Sequence, residues 1–181
     1  MRTLILGVII SLFVLLAGGL AIALLGFLPT TADAEPPLLE VRIATSALDA
    51  SVDRHASHLT SPAPLVDDSL IQGMKIYTMN CAMCHGTLDM KPSPLQNSFY
   101  PPAPQLVLRP EDGPDWRVYY FVRTGVRYTA MPAWNKTLTD QEMWDVTAFL
   151  TRLQKLPPAV QDYWKASFGI EKLPTLVNPH S

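Results

Sequence analysis

The sequence contains few cysteines, few charged residues and no excess of either charge. Its 181 residues include two cysteines and 17% charged residues, and the formal net charge is −2. Two cysteines cannot form the disulfide framework of small secreted domains. A chain without a basic excess also lacks the electrostatic basis for nucleic-acid binding. No Ser/His/Asp order, phosphate-binding loop or paired-carboxylate motif points to an enzyme, and the length suits one domain with appendages.

A long apolar run occupies the N-terminus. Residues 3–28 form 26 consecutive positions without a charge, and about 20 apolar residues are enough to span a bilayer. Ala32-Asp33-Ala34 has the A-x-A pattern of a signal-peptidase site, but a signal-peptide core is usually only ~7–15 residues long. We therefore predict an uncleaved transmembrane anchor at residues 1–28, with a cleaved signal peptide as the alternative.

A proline-rich arm, residues 29–67, follows the anchor, and its prolines exclude a long uninterrupted element. A short helix or partly ordered segment is predicted by the helical spacing of Leu39, Ile43, Ala47 and Ala50. His55 and His58 form an H-x-x-H pair that could bind a metal from one helix face. We favour two exposed polar residues on a linker, because no carboxylate-rich pocket is evident nearby.

The strongest motif is Cys81-Ala82-Met83-Cys84-His85, a C-x-x-C-H signal for attachment of a c-type haem. Two cysteines on one helical turn can form thioethers with the two vinyl groups of a porphyrin, and the next histidine then reaches the iron. A thioredoxin-like motif would need a βαβ pattern, which is not visible. A zinc site of both cysteines with His55 and His58 would leave His85 unexplained. The prediction is one covalent haem c, since no second C-x-x-C-H occurs.

Helical patterns flank this motif. Gly73 lies within a predicted helix, where glycine costs about 1 kcal/mol relative to alanine, and a close helix crossing would explain it. One face of that helix carries Leu70, Met74, Tyr77 and Cys81. Thr139 and Glu142 form a capping box before an apolar stripe at Met143, Val146, Leu150 and Leu153. A third helix is predicted at residues 115–123, and no alternation of period two predicts a sheet.

Residues 68–156 resemble a class I, mono-haem cytochrome c domain. The resemblance depends on Cys81–His85 followed by Gly86, on Met131-Pro132, and on flanking-helix contacts at Gly73, Tyr77, Phe149 and Leu150. It implies an all-α fold whose first and last helices cross beside the haem. The anchor and the arm lie outside this pattern and indicate a membrane-attached member, and residues 157–181 form a C-terminal extension.

His85 and Met131 are the predicted axial ligands of the iron. The other methionines lie in the anchor, on or beside the motif, or in the apolar stripe: Met1, Met74, Met79, Met83, Met90 and Met143. Met131 follows His85 by 46 residues, which is enough chain to pass around the porphyrin. Pro132 would stiffen the loop behind this ligand, and Trp134 would shield it.

The resemblance implies further haem-binding residues. In this family a proline carbonyl accepts the N–H of the proximal histidine, and Pro104 and Leu106 best match the Pro-x-Leu segment that supplies it. Arginine side chains suit the haem propionates, and the candidates are Arg109, Arg117, Arg123 and Arg127. Arg127 and Tyr128 are preferred because they are close to Met131, and ordinary surface arginines are the alternative.

These residues predict one-electron transfer, because a His/Met-ligated iron has both axial positions filled by protein. We favour a cytochrome subunit of a membrane respiratory or dehydrogenase complex with redox protein partners. The reason is a set of extra aromatic and aliphatic residues that suggest a packing arm or partner surface: Tyr163, Trp164, Phe168 and Ile170. A membrane-tethered electron shuttle is the alternative, and a haem-based gas sensor is less favoured.

The resemblance also implies a location. Bacteria attach haem c outside the cytoplasmic membrane, so the haem domain is expected in the periplasm, on a single-pass anchor in the inner membrane. Arg2 is the only basic residue before the apolar run, which gives a slight preference for the same orientation.

Overall fold

The computed structural model describes residues 1–56, 59–61, 66–110 and 113–170. Within these ranges seven α-helices follow one another: α1 (Arg2–Leu24), α2 (Leu38–Ala56), α3 (Asp67–Asn80), α4 (Ala82–His85), α5 (Asp115–Thr124), α6 (Asp140–Thr151) and α7 (Pro158–Phe168). A short 3-10 helix spans Leu153–Lys155. These ranges contain no strand, so the all-α prediction is confirmed. The chain divides into two compact units, residues 1–31 and 32–181.

The first unit consists mainly of α1. This helix has 23 residues, its most apolar 18-residue stretch has a mean hydropathy of 2.8, and none of its residues is buried. At 1.5 Å per residue it is about 35 Å long, slightly more than the ~30 Å hydrocarbon core of a bilayer. Its length and composition make it the candidate membrane anchor of the chain.

The second unit is organised around a close crossing of α3 and α6. A Cβ atom added at Gly73 would lie 2.1 Å from the Asp145 carbonyl oxygen and 2.9 Å from the Phe149 Cβ. The two backbones therefore touch at a position that tolerates no side chain. One turn further along α3, Tyr77 packs against Phe149 with ring centroids 6.0 Å apart. The close crossing predicted from Gly73 is confirmed.

The predicted capping box begins α6. The Thr139 backbone N–H donates to Glu142 Oε2 at 2.7 Å, and the Glu142 N–H donates to Thr139 Oγ1 at 3.3 Å. The Thr139 N–H and the Thr139 hydroxyl both donate to Glu142 Oε2 and thereby lower the pKa of the Glu142 carboxyl. The negative charge of this carboxyl suits the N-terminus of a helix. The predicted apolar stripe, Met143, Val146, Leu150 and Leu153, is buried.

α5 packs on α6 through stacked rings and an ion pair. The rings of Tyr119 and Trp144 lie 3.9 Å apart between centroids and within 8° of parallel. Asp115, at the start of α5, accepts hydrogen bonds from Thr151 at 2.7 Å and Arg152 at 2.9 Å. α5 is thus attached to α6 at two places, Asp115 and Tyr119. Because α3 also crosses α6, α6 connects α3 and α5.

The arm contains a regular helix, but the helix buries an unexpected face. α2 packs against α5, and Arg117 of α5 pairs with Asp49 of α2. Val52 and Ala56 of α2 are fully buried. Leu39 and Ile43 are 69% and 62% exposed. The apolar spacing predicted a short helix or partly ordered segment, whereas α2 has 19 residues and meets the domain with the opposite face. Glu40, in its first turn, also accepts a hydrogen bond from the Tyr100 hydroxyl at 2.8 Å.

The C-terminal extension folds onto the domain through α7. Its start at Pro158 suits proline, which needs no helical N–H partner there, and α6 ends earlier, at Thr151. Trp164 is buried, and its Nε1–H donates to the Leu88 carbonyl at 2.8 Å. The other large residues of the extension are partly buried against the core: Tyr163, Phe168 and Ile170. Up to residue 170, the extension is a packing arm.

The first prediction concerns Gly73. We expect Gly73→Ala to lower the free energy of unfolding by about 2 kcal/mol, because the added methyl group forces α3 and α6 apart. Helix propensity alone would change stability by about 1 kcal/mol in the opposite direction. Denaturant unfolding followed by circular dichroism measures the difference. Gly113→Ala is the matched control, since its Cβ would meet only the Arg117 Cδ at 3.4 Å. A Gly73→Ala protein as stable as wild type would contradict the crossing.

Candidate haem-attachment site

The C-x-x-C-H motif forms a single helical turn directly after α3. The backbone N–H groups of Cys84 and His85 both donate to the Cys81 carbonyl, at 3.1 and 2.9 Å. Both thiols are free and partly exposed. Burial raises the pKa of the Cys81 thiol to about 12, so this cysteine is a neutral thiol at physiological pH. The turn therefore presents two thiols and an imidazole within five residues.

The His85 ring is oriented by the segment that contains Pro104. His85 Nδ1 lies 2.8 Å from the Pro104 carbonyl oxygen. A carbonyl can only accept, so Nδ1 carries the proton and Nε2 keeps the lone pair that a metal requires. Burial lowers the pKa of His85, which also favours the neutral imidazole. The Leu106 N–H donates to the His85 carbonyl at 3.1 Å. Both Pro104 and Leu106 thus bond to His85, and their part in haem binding stays a prediction.

Side chains complete the hydrogen bonding of this turn, because the last carbonyls of a helix have no partner within it. The Tyr77 hydroxyl lies 2.9 Å from the His85 carbonyl oxygen and 2.7 Å from that of Gly86. The Ser93 hydroxyl bonds to the Met83 carbonyl, and Gln105 Nε2 donates to the Cys84 carbonyl at 3.0 Å. The sequence did not indicate Ser93 or Gln105, because lone polar residues in an irregular loop have no periodic pattern.

Met131 lies on a separate loop that is closed against the end of α5. The Val126 N–H donates to the Met131 carbonyl at 3.2 Å, and the Thr129 hydroxyl accepts from the Met131 N–H at 3.1 Å. Gly125 has φ +64°, and a Cβ there would lie 2.6 Å from the Met131 carbonyl oxygen, so only glycine fits. No hydrogen bond of the described residues joins this loop to α4. The Met131 backbone is therefore positioned by α5.

The predicted propionate partners have different surroundings. Arg127 and Tyr128 are exposed at the tip of the Met131 loop, Tyr128 with 89% exposure. Neither side chain has a hydrogen bond or an ion pair within the described ranges. Arg117 is engaged with Asp49 and lies 4.0 Å from Asp53. This arginine links α2 to α5, so its candidacy for a propionate is not supported, whereas both tip residues remain predictions.

His55 does not form a metal site in the described part of the chain. Its Nδ1 lies 2.7 Å from the Ser51 carbonyl oxygen on the exposed surface of α2. No group of three or more His, Cys, Asp or Glu residues there could hold a metal ion. The second histidine of the pair, His58, lies outside the described residues.

The donor set fits a haem c. Two free thiols on one turn can each form a thioether, and His85 keeps Nε2 for the iron. Leu106 and Trp134 are partly buried at the margin of the core, and their contact with a porphyrin stays a prediction. A fold of helices around such a turn defines a c-type cytochrome domain.

The comparison with protein-family models agrees with this class. Residues 68–150 match the family model described as Cytochrome C oxidase, cbb3-type, subunit III. The chain thus carries a class I c-type cytochrome domain, an electron-transfer domain, together with an N-terminal apolar helix. The match includes the attachment motif, α5 and most of α3 and α6.

One solved structure is also similar. It is a chain of the Kuenenia stuttgartiensis reducing HAO-like protein complex, with 26% sequence identity over 51% of the present chain and 47% of that chain. The TM-score is 0.43. The present chain spans about half the length of that chain. No curated protein matches the sequence.

The second prediction concerns covalent attachment. A Cys81→Ser/Cys84→Ser double variant is expected to lose its haem when denatured, because serine forms no thioether. Haem-linked peroxidase staining of a denaturing gel compares this variant with wild type, and each single variant should keep one bond and part of the signal. A wild-type band without haem would contradict the attachment.

Proposed function

We propose that the protein transfers single electrons through one haem c, attached to Cys81 and Cys84 and ligated by His85 and Met131. The observation that carries the proposal is the hydrogen bond from His85 Nδ1 to the Pro104 carbonyl, at 2.8 Å. This bond fixes the tautomer and the ring orientation that a proximal ligand needs. When bound, the haem iron alternates between its ferrous and ferric states.

The protein would serve this reaction by closing both axial positions. His85 would hold the iron through Nε2, and Met131 would hold it through its thioether. A thioether is a soft ligand that favours reduced iron and raises the potential. Met131 lies on a loop closed by its bond to Val126, which supports a firm rather than an exchangeable ligand. An electron carrier is therefore favoured over a gas sensor.

The third prediction tests Met131. We expect Met131→Ala to lower the midpoint potential and to let carbon monoxide bind the ferrous form, because the sixth position opens. Met131→His should keep six ligands yet also lower the potential, since imidazole is the stronger donor. Redox titration and ferrous carbon monoxide spectra measure both effects.

The matched control for this prediction is Met79→Ala. Met79 is a methionine of α3 with 75% exposure, so its loss should change neither measurement. Wild-type protein that binds carbon monoxide as readily as Met131→Ala would exclude Met131 as a firm ligand and favour the sensor.

For the role in the cell, we propose a cytochrome subunit of a membrane respiratory or dehydrogenase complex. Support comes from the family model, whose description names an oxidase subunit. The aromatic residues of the extension no longer support it, because Trp164 is buried within the domain. Purification in mild detergent separates this role from a tethered shuttle: a subunit retains stoichiometric partners, and a shuttle is isolated alone.

We also propose a single-pass location in the inner membrane, with the haem domain in the periplasm. Support comes from the apolar length of α1 and from the attachment of haem c outside the cytoplasmic membrane. A membrane-spanning α1 would also explain why none of its residues is buried in the structure.

The fourth prediction tests the anchor. The mature protein is expected to begin at or near Met1 and to stay in the membrane fraction after alkaline carbonate extraction. Replacing Leu12 and Leu16 by arginine should release it or prevent insertion, because a charge at mid-bilayer costs about 2.5–3.5 kcal/mol per residue on the insertion scale. N-terminal sequencing that finds Glu35 first would show instead that the A-x-A site is cleaved.

A further inference from the structure

Gln105 is a buried polar residue whose amide is fully used. Its side chain is 6% exposed. Nε2 donates to the carbonyls of Cys84 and Ala103, both at 3.0 Å, and Oε1 accepts from the Ser93 N–H at 2.6 Å. A primary amide has two N–H donors, and here both have partners. One side chain thus joins three segments: the attachment turn, the Ser93 loop and the segment that contains Pro104.

The neighbours of Gln105 in sequence both bond to His85. The Pro104 carbonyl accepts from the imidazole, and the Leu106 N–H donates to the His85 carbonyl. The Gln105 amide holds the preceding carbonyl, that of Cys84. Pro104, Gln105 and Leu106 therefore bond to three groups of the turn: the His85 imidazole, the Cys84 carbonyl and the His85 carbonyl. Because Pro104 lies next to Gln105, a displacement of the amide moves the carbonyl that orients the imidazole.

The amide is also closely fitted to the turn. A Cβ added at Gly86 would lie 3.1 Å from Gln105 Oε1, and Gly86 has φ +92°. A side chain at residue 86 would therefore crowd the amide, and the backbone there has a conformation that residues other than glycine rarely adopt. The turn therefore limits where the Gln105 amide can lie, and the amide holds the turn through its hydrogen bond to Cys84.

We propose that Gln105 is a positioning residue for the proximal ligand, which sets the hydrogen bond between the Pro104 carbonyl and His85 and so tunes the redox potential. The inference rests on the proposed haem function. Without the amide, the Cys84 carbonyl and the Ser93 N–H would be left unpaired in a buried place, which the segment can relieve only by moving. A longer His85–Pro104 bond makes the imidazole less basic, and a less basic ligand stabilises ferric iron less.

The fifth prediction follows for the full-length protein with its haem. Gln105→Met keeps the size of the side chain and removes all three bonds. We expect a more positive midpoint potential and faster solvent exchange of the His85 Nδ1 proton, measured by NMR on the reduced protein. The covalent haem should remain, because Cys81 and Cys84 are unchanged.

Gln161→Met is the matched control. Gln161 Nε2 also donates to a backbone carbonyl, that of Leu156, at 2.7 Å, but it lies on α7, and none of its hydrogen bonds in the described structure reaches the attachment turn. Its loss should reduce stability without changing the potential or the exchange rate. If Gln105→Met does not fold, Gln105→Asn serves instead, since its shorter amide cannot reach both Cys84 and Ser93, and the same two shifts are expected.

The outcomes separate this inference from the proposed function. A Gln105 variant that loses stability as Gln161→Met does, with the potential and exchange rate of wild type, would overturn the positioning role alone. A wild-type chain without covalent haem would overturn the proposed function itself. Shifts in both measurements, with the haem retained, would support both.

Discussion

The contact of Gly73 with the Asp145 backbone is the constraint on which the cofactor site depends. A Cβ there would lie 2.1 Å from the Asp145 carbonyl oxygen, so α3 and α6 meet at a distance set by their backbones. One turn beyond Gly73, Tyr77 reaches the carbonyls of His85 and Gly86 with its hydroxyl. Burial raises the pKa of Tyr77 above its ordinary value, which keeps that hydroxyl a donor. The crossing therefore fixes the helix that leads directly into the attachment turn.

The two predicted iron ligands are held by different elements, and α6 is common to both. His85 follows α3, which crosses α6 at Gly73. Met131 lies on a loop closed against α5, and α5 is fixed to α6 through the stacked rings of Tyr119 and Trp144. No backbone hydrogen bond of the described residues joins the Met131 loop to the attachment turn. A change in α6 would disturb both ligands, whereas a change in α5 would act mainly on Met131.

Sequence patterns predicted the parts of the structure that local chemistry decides. The capping box at Thr139 and Glu142 needs only residues three apart, and the crossing at Gly73 follows from a glycine that helix propensity disfavours. The C-x-x-C-H turn is equally local. For these features neighbouring residues carry most of the information.

Other features depend on contacts between distant segments, which no local pattern encodes. The face that α2 buries is decided by where the domain lies, so the exposed Leu39 and Ile43 give no guide to Val52 and Ala56. Gln105 is important because its amide bonds to backbone groups of three segments, at Cys84, Ser93 and Ala103. Its sequence position, between two residues of a recognised segment, did not distinguish it from a variable spacer. The long-range partner of Trp164 was equally unpredictable.

The bond between Trp164 and the Leu88 carbonyl has a consequence for biosynthesis. The two residues are 76 positions apart in the chain, and a ribosome makes Leu88 first. During synthesis the loop behind the attachment turn therefore emerges without this partner, and it gains the indole N–H only after α7 has been made. The two thiols thus lie beside a loop whose hydrogen bond to α7 forms last, whereas the backbone hydrogen bonds within the attachment turn join neighbouring residues and need no distant segment.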